Sequence, residues 1–424
     1  MTPNPVLAVD DINLSDFAFW ARPLEEREGA FATLRAERPV SFQPEPDPPF
    51  EFPRGSGYWA LTRHADILEA SRTPAVFCSG QGSNITDLTP ELNEFFGSMI
   101  NMDDPRHARL RGIVSRGFNR RMIARVEDDV ERTAARIVSD VIDRGECDFV
   151  TDVAAALPLS IVCDMMGIPE SQYRFVFERT NIILGAGDPE YIPDQTKVVE
   201  AILTAGWELS EMVQDLGRHR REHPTDDLTS ALINADVDGD GLTDQELGSF
   251  FVLLVAAGNE TTRNAISHGL KTLCDHPEQR ARWAADFEGV APTAVEEIVR
   301  WATPVIHFRR TATRDTEIGG QAIREGDKVV LWYCSANRDE AVFDDPFRFD
   351  VTRTPNEHVG FGGPGPHFCL GAHLARREIT VMFREIFRRL PDIEVTGEPQ
   401  RLMSFFIHGI KHLPCRFTPG GAAA

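Results

Sequence analysis

The sequence predicts one large, mainly α-helical domain carrying small β-sheets. Three observations point there. The stretches Arg120 to Asp143, Gln195 to Glu222 and Thr243 to Asp275 carry apolar residues at helical spacing among charges. Strand signals are short and scattered, at Tyr58 to Thr62, Val305 to Thr311, Gln321 to Trp332 and His408 to Phe417. No linker or internal repeat divides the 424 residues, although a prior of about 150 residues per domain would allow roughly three. Residues 1–424 are therefore read as a single domain, with 1–16 and 418–424 expected to be poorly ordered.

In chain order, the Pro-rich stretch Gln43 to Pro53 reads as a surface loop, and the strand Tyr58 to Thr62 follows it. Two amphipathic helices come next. The longest helix opens with Thr243-Asp-Gln-Glu246, a capping-box pattern, and stops before His276-Pro277, where Pro blocks continuation. It would be about 50 Å long. A helix that long, apolar in its middle, is expected to cross the interior. A last helix, from about Ala372 to Leu390, follows a Gly- and Pro-rich loop.

Composition excludes some functions. With 44 basic and 66 acidic residues the net charge is −22. That disfavours nonspecific nucleic-acid binding, which relies on Lys and Arg neutralising phosphates. The seven Cys show no C-x-x-C pairing and read as belonging to a reducing compartment. No signal-peptide pattern and no stretch of about 18 uncharged apolar residues is found, so a cytoplasmic protein is expected. Asp236 to Gly241 begins like an EF-hand loop, but the twelfth position from Asp236 is Leu247 rather than Glu. His408 and His412 lack an acidic third ligand in the sequence and read as ordinary.

The strongest chemical signal is Phe361-Gly-Gly-Pro-Gly-Pro-His-Phe-Cys369-Leu-Gly371. It places one Cys just before a helix N-terminus. Backbone N–H groups and the helix dipole there favour a thiolate. Glycines let the backbone approach a flat partner closely. A lone thiolate held this way suits haem iron, where it favours O–O cleavage. The alternative is a buried Cys in a tight loop.

The second signal is Ala257-Gly-Asn-Glu260-Thr261-Thr262, mid-helix. A local widening of the helix at Gly258 would admit O2 and water, with Glu260 and Thr261 relaying protons. The alternative is a kink whose acid reaches solvent. The third is Glu297-Ile-Val-Arg300, a same-face pair that taken alone describes a solvated surface. The fourth is His107-Ala-Arg-Leu-Arg111 with Arg309-Arg310, cations suited to carboxylates of an acidic cofactor or simply surface charge.

Together, and in this order along nearly the whole chain, these motifs resemble the cytochrome P-450 superfamily. Asp345-Pro-Phe-Arg-Phe349 adds to the match. The resemblance implies haem b ligated by Cys369, with Gly371 beside it. It implies that His107, Arg111, Arg310 and His367 hold the propionates. Glu260 and Thr261 match the acid–alcohol pair of oxygen activation, and Glu297, Arg300 and Arg348 the structural charge cluster. Two departures stand out. Phe361 to Cys369 is one position longer than the commonest signature, so Phe361 is not expected to sit against the thiolate in the usual way. The acid is Glu260 where Asp is usual.

Gly97 to His107, Ala257 to Gly269, Pro292 to Trp301 and Trp332 to Asp339 extend the resemblance to actinobacterial members that oxidise lipids. It is greatest to methyl-branched lipid ω-hydroxylases, with sterol side-chain oxidases next. A monooxygenase is implied that inserts one atom of O2 into the terminal C–H of a long apolar lipid. Ile85, Ile100, Leu253, Ala257, Val305 and Phe406 are candidates for the lining, or for plain core. Electrons are expected from a ferredoxin with its NAD(P)H reductase, docked near Arg120, Arg121, Arg376 and Arg377. A peroxide-driven peroxygenase and a non-catalytic haem-binding protein are the competing readings.

Overall fold

The computed structural model describes residues 7–46, 55–118, 120–234 and 241–420, without the side chains of Arg120 and Arg121. The EF-hand-like stretch falls largely on residues 235–240, outside the described residues.

The long helix is the axis of the molecule. It runs Asp244–Asp275, 32 residues, or about 48 Å. Its start is fixed by the capping box: the Glu246 N–H donates to Thr243 Oγ1 at 3.1 Å, and the Thr243 N–H to Glu246 Oε2 at 3.0 Å. It ends at His276, one residue before Pro277. Helices Pro90–Gly97, Ala156–Met166, Tyr173–Leu184, Val198–Glu222, Phe287–Ala302 and Ala372–Arg389 pack around it. Phe250, Phe251, Val255, Ile266 and Leu270 of its buried face join Ile298, Ile379 and Phe383 in one core. Burial of such side chains contributes about 1.5–3 kcal/mol each.

The largest sheet has five short strands in the order Val40–Gln43, Tyr58–Leu61, Lys328–Trp332, His307–Ala312, Phe77–Cys78. The second and third pair in parallel, the others antiparallel. It carries a second core around Tyr58, Ile306, Val330 and Trp332.

Of the stretch 1–16 expected to be loose, residues 7–16 are described. Ile12 and Leu14 are buried in that second core. The Leu14 carbonyl accepts from Trp20 Nε1 at 2.9 Å, and its N–H donates to Gln43 Oε1 at 3.1 Å. Apolar anchoring, invisible in a short polar-looking stretch, outweighs fraying here. At the other end, the Thr418 N–H donates to Asp392 at 3.0 Å.

Candidate functional site

Cys369 sits where the sequence places it, three residues before the start of helix Ala372–Arg389. The loop is held folded by its own backbone. The Cys369 N–H donates to the Phe361 carbonyl at 3.0 Å, and the Gly362 N–H to the Val359 carbonyl at 2.9 Å. Gly362 has φ +85°, a region that glycine adopts freely. At Gly365 a Cβ would lie 2.3 Å from the Ser71 carbonyl oxygen, so only glycine fits between the loop and helix His64–Arg72. The longer loop leaves Phe361 touching Cys369 through its carbonyl, while its ring lies under the Arg376 guanidinium at 4.3 Å.

The Cys369 side chain is accessible, yet it sits deep in a recess. Burial pushes its thiol up; the Gly371 N–H and the cations Arg111 and Arg376 pull the other way. The expected thiolate-favouring groups are thus present, but desolvation outweighs them in the protein alone. A coordinated metal ion reverses that balance, because its charge deprotonates a bound thiol.

Around the sulfur the four residues predicted to hold the propionates converge from three elements. His107 and Arg111 share one face of helix Arg106–Gly117. Arg310 comes from strand His307–Ala312, and His367 from the Cys loop. The His107 and His367 rings lie 4.3 Å apart, and Arg111 Nη2 donates to the Phe368 carbonyl at 2.7 Å. Burial, then Arg310, His107 and Arg111, hold His367 down at about 3. Arg309, by contrast, points away and pairs with Asp87 at 2.6 Å. Among the described residues, Arg111 and Arg310 have no carboxylate partner, and buried His107 Nε2 has no partner at all. Two guanidiniums without a carboxylate and an imidazole whose Nε2 lacks a partner, its Nδ1 facing Asp104 at 3.4 Å, fit, beside a single thiol, a flat dianionic group with a thiolate-binding metal. This donor set suits haem b.

On the long helix, Ala257 is exposed between half-buried Ala256 and Gly258, and Thr261 is half-buried between buried Glu260 and Thr262. Thr261 Oγ1 donates to the Ala257 carbonyl at 2.7 Å. The helix stays continuous through Gly258, so the expected widening is not seen. Nor does the acid reach solvent. Glu260 is 1% exposed, ion-paired with Arg263 and bonded to Asn264 Nδ2 at 2.9 Å. Arg263 in turn donates to Asn181 Oδ1 at 3.0 Å. Sequence reading missed Arg263; its signal was the i, i+3 spacing from Glu260. It also missed Glu378, fully buried against Thr262, whose acid burial pushes up to about 8.

Of the lining candidates, Ile100, Leu253, Val305 and Phe406 are partly accessible. Ile85 is not: at 1% exposure it belongs to the second core, and its carbonyl accepts from Lys328 Nζ at 3.1 Å.

The charge cluster needs one correction. Glu297 and Arg300 are not on a solvated face but fully buried, joined at 2.7 and 2.8 Å. The third charge is Arg353, whose Nε lies 3.2 Å from both Glu297 oxygens. The Arg348 side chain is 60% exposed and pairs with Asp350 at 3.7 Å. Only its carbonyl enters the cluster, accepting from Arg353 Nη2 at 2.7 Å.

The predicted docking patch is also changed. Arg376 is tied to Glu296, and Arg377 to Glu131 at 2.5 Å. Burial would raise Glu296, but Arg376 and His358 hold it at about 2. The side chains of Arg120 and Arg121 lie outside the described residues.

The cytochrome P-450 family model matches residues 195–403. The methyl-branched lipid ω-hydroxylase of Mycobacterium tuberculosis is 53% identical over 98% of this chain and 97% of its own. The steroid C26-monooxygenase of Mycolicibacterium smegmatis is 40% identical over 95% of this chain and 92% of its own. A Mycobacterium marinum cytochrome P-450 solved in complex with pseudoionone superposes with TM-score 0.92 and 46% identity, covering 97% of this chain and 100% of that one. The cysteine loop, the unpaired cation cluster and these full-length likenesses agree: the chain belongs to the cytochrome P-450 family of haem-thiolate monooxygenases.

Proposed function

We propose that this protein hydroxylates the terminal carbon of a long methyl-branched lipid. The observation that carries this reading is the 53% identity to methyl-branched lipid ω-hydroxylases, against 40% to steroid C26-monooxygenases. Partly accessible Ile100, Leu253, Val305 and Phe406 are the hydrocarbon side chains that this reading assigns to an extended chain.

In this reading the Cys369 thiolate binds the haem iron, with Gly371 donating its N–H to the sulfur. Arg111, Arg310, His107 and His367 hold the two propionates, which supplies the missing partner of His107 Nε2. When bound, the haem activates O2 and transfers one oxygen atom, and thiolate ligation favours O–O cleavage. The protein positions substrate and governs protons. Ala257, with its small side chain, leaves room over the reacting centre. Thr261, its hydroxyl hydrogen directed at the Ala257 carbonyl, offers its oxygen lone pairs to an incoming hydrogen-bond donor. Glu260 keeps one oxygen, Oε1, fixed by Arg263 and Asn264, while Oε2 has no partner among the described residues and is available to carry a proton. The apolar lining excludes water and side attack.

The electron donor in this proposal is a separate ferredoxin with its NAD(P)H reductase, and the compartment is the cytoplasm. No helix among the described residues is long and apolar enough to cross a membrane.

An optical titration tests the reading. The haem Soret band of the purified protein is followed with a straight fatty acid, a methyl-branched fatty acid, a linear isoprenoid and a sterol. The expected result is a saturable low-to-high-spin shift, tightest with the branched lipids. A preferential shift with the sterol moves the assignment to sterol side-chain oxidation. Product formation with peroxide alone matching that of the full electron-transfer chain would make the protein a peroxygenase. Tight binding with no product in either system would make it a haem-dependent binder.

A further inference from the structure

The segment between helices Tyr173–Leu184 and Val198–Glu222 is fastened by charge to strand Ile410–His412 near the C-terminus. Lys411 Nζ lies 3.0 Å from Asp188 Oδ1 and 2.7 Å from Glu190 Oε2. His412 Nε2 lies 2.9 Å from Glu190 Oε1, and its Nδ1 meets Asp148 Oδ2 of strand Glu146–Asp148. One imidazole thus stands between a carboxylate of a strand and a carboxylate of the segment.

Only the charged ring serves both. An imidazolium has a hydrogen on each nitrogen and donates twice. A neutral imidazole has one hydrogen, so its bare nitrogen turns a lone pair toward the other carboxylate. The Asp148 side is fixed more firmly, because Asp148 Oδ1 also accepts from the Leu413 N–H at 3.1 Å. Loss of the proton therefore falls on the bond to Glu190. The charges around the ring come from each neighbouring element. Asp148 and Glu190 touch it, and Asp188 and Lys411 lie beyond Glu190. Asp152, 3.6 Å from Arg144, lies behind Asp148. Strand Gln400–Arg401 sets Gln400 opposite the histidine, with Arg401 next along. Burial would lower the imidazole's pKa, but the bonds to Asp148 and Glu190 outweigh it and hold the pKa above its ordinary value.

The same segment borders Glu260 and Arg263. Its Tyr191 ring packs on Gly185, where a Cβ would meet Tyr191 Cδ2 at 2.2 Å. Burial raises the Tyr191 hydroxyl to about 12, and the charges of Arg263 and Glu260 act on it. Asn181, whose side chain accepts from Arg263, also accepts the Gly185 N–H on its carbonyl at 2.8 Å.

We propose that His412, as imidazolium, is a positioning residue: it clamps residues 185–194 beside the Glu260–Arg263 pair, and loss of its proton loosens them. The clamp stands on the geometry of the two carboxylates; its bearing on turnover rests on the reading of Glu260 as a proton carrier. Lys411 keeps its hold on Asp188 and Glu190, so release is partial.

Hydrogen exchange of the 185–194 amides in the haem-loaded full chain, followed from about pH 6 to about pH 9 with intrinsic rates divided out, tests the clamp. Protection should fall about ten-fold as the pH rises, the worth of one charge-assisted hydrogen bond. His412→Gln, never charged, should be loose throughout, and His412→Arg, always charged, protected throughout. Glu190→Gln, on the segment's side, should also be loose with a flatter profile, and serves if a strand variant does not fold. A flat wild-type profile, or a His412 variant that keeps the wild-type pH dependence, overturns the clamp. Product formed per NAD(P)H consumed is measured over the same range. It should fall with protection in the wild type and stay level in His412→Arg. Protection that changes while this ratio does not overturns the link to Glu260. Unchanged coupling in Glu260→Gln would instead overturn the reading of Glu260 itself.

Discussion

Replacing Arg353 with Met should destabilise the protein far more than replacing Arg348 with Met. The Arg353 side chain is 9% exposed. Its Nε approaches both oxygens of Glu297 at 3.2 Å, and its two Nη atoms donate to the carbonyls of Asp344, Asp345 and Arg348 at 2.7 to 3.1 Å. Glu297 itself is fully buried. Removing one partner of a buried pair leaves the other charge undercompensated and costs about 3–5 kcal/mol. Arg300 still faces Glu297 in the variant, so the lower half of that range is expected. Arg348, 60% exposed and 3.7 Å from Asp350, contributes the ~0–1 kcal/mol of a surface pair. Urea unfolding of both variants, with haem retention read in parallel, decides the matter. Equal losses, or a larger loss for Arg348→Met, would refute the assignment of Arg353 as the third charge.

Gly365→Ala should lower the yield of haem-loaded protein sharply, because its Cβ would meet the Ser71 carbonyl oxygen at 2.3 Å, whereas Gly112→Ala, with open space around it, should not. A normal haem content in Gly365→Ala would show that the loop can shift. Thr261→Ala should cut product formed per NAD(P)H consumed while substrate binding, read by the Soret shift, stays close to wild type; unchanged coupling would remove Thr261 from proton handling. His268 and His307 are held at about 3, by burial first of all. Unfolding returns them to about 6.5, so below that pH the unfolded chain binds protons that the folded chain does not. Their contribution is complete above about 6.5 and is lost toward 3, at ~1.4 kcal/mol per pH unit for each histidine. Unfolding free energies measured between those limits check the slope, and a flat profile would contradict neutral burial.

The axis of the fold was legible because its signals are local. Thr243 to Glu246 caps, Pro277 stops, and the apolar spacing between them needs no tertiary knowledge. The cysteine loop was legible for the same reason. What escaped depends on contacts between distant segments. Arg353 and Arg348 look alike in sequence, and only the path of the chain decides which reaches Glu297. Ile85 looks like any lining residue until Tyr58, Ile306 and Trp332 close around it. Leu14 anchors a terminus because Trp20 and Gln43 happen to meet its backbone. Arg376 and Arg377 read as free cations because Glu296 and Glu131 lie far away in sequence.

The most direct test of the proposed function is a competition turnover. The protein, with ferredoxin, reductase and NAD(P)H, receives a methyl-branched fatty acid and a sterol at equal concentration, and the products are identified by mass spectrometry. The account predicts that the terminally hydroxylated branched acid dominates, carries one labelled oxygen from ¹⁸O2, and disappears in Cys369→Ser. Predominant sterol product, hydroxylation along the chain rather than at its end, or oxygen drawn from water would contradict it.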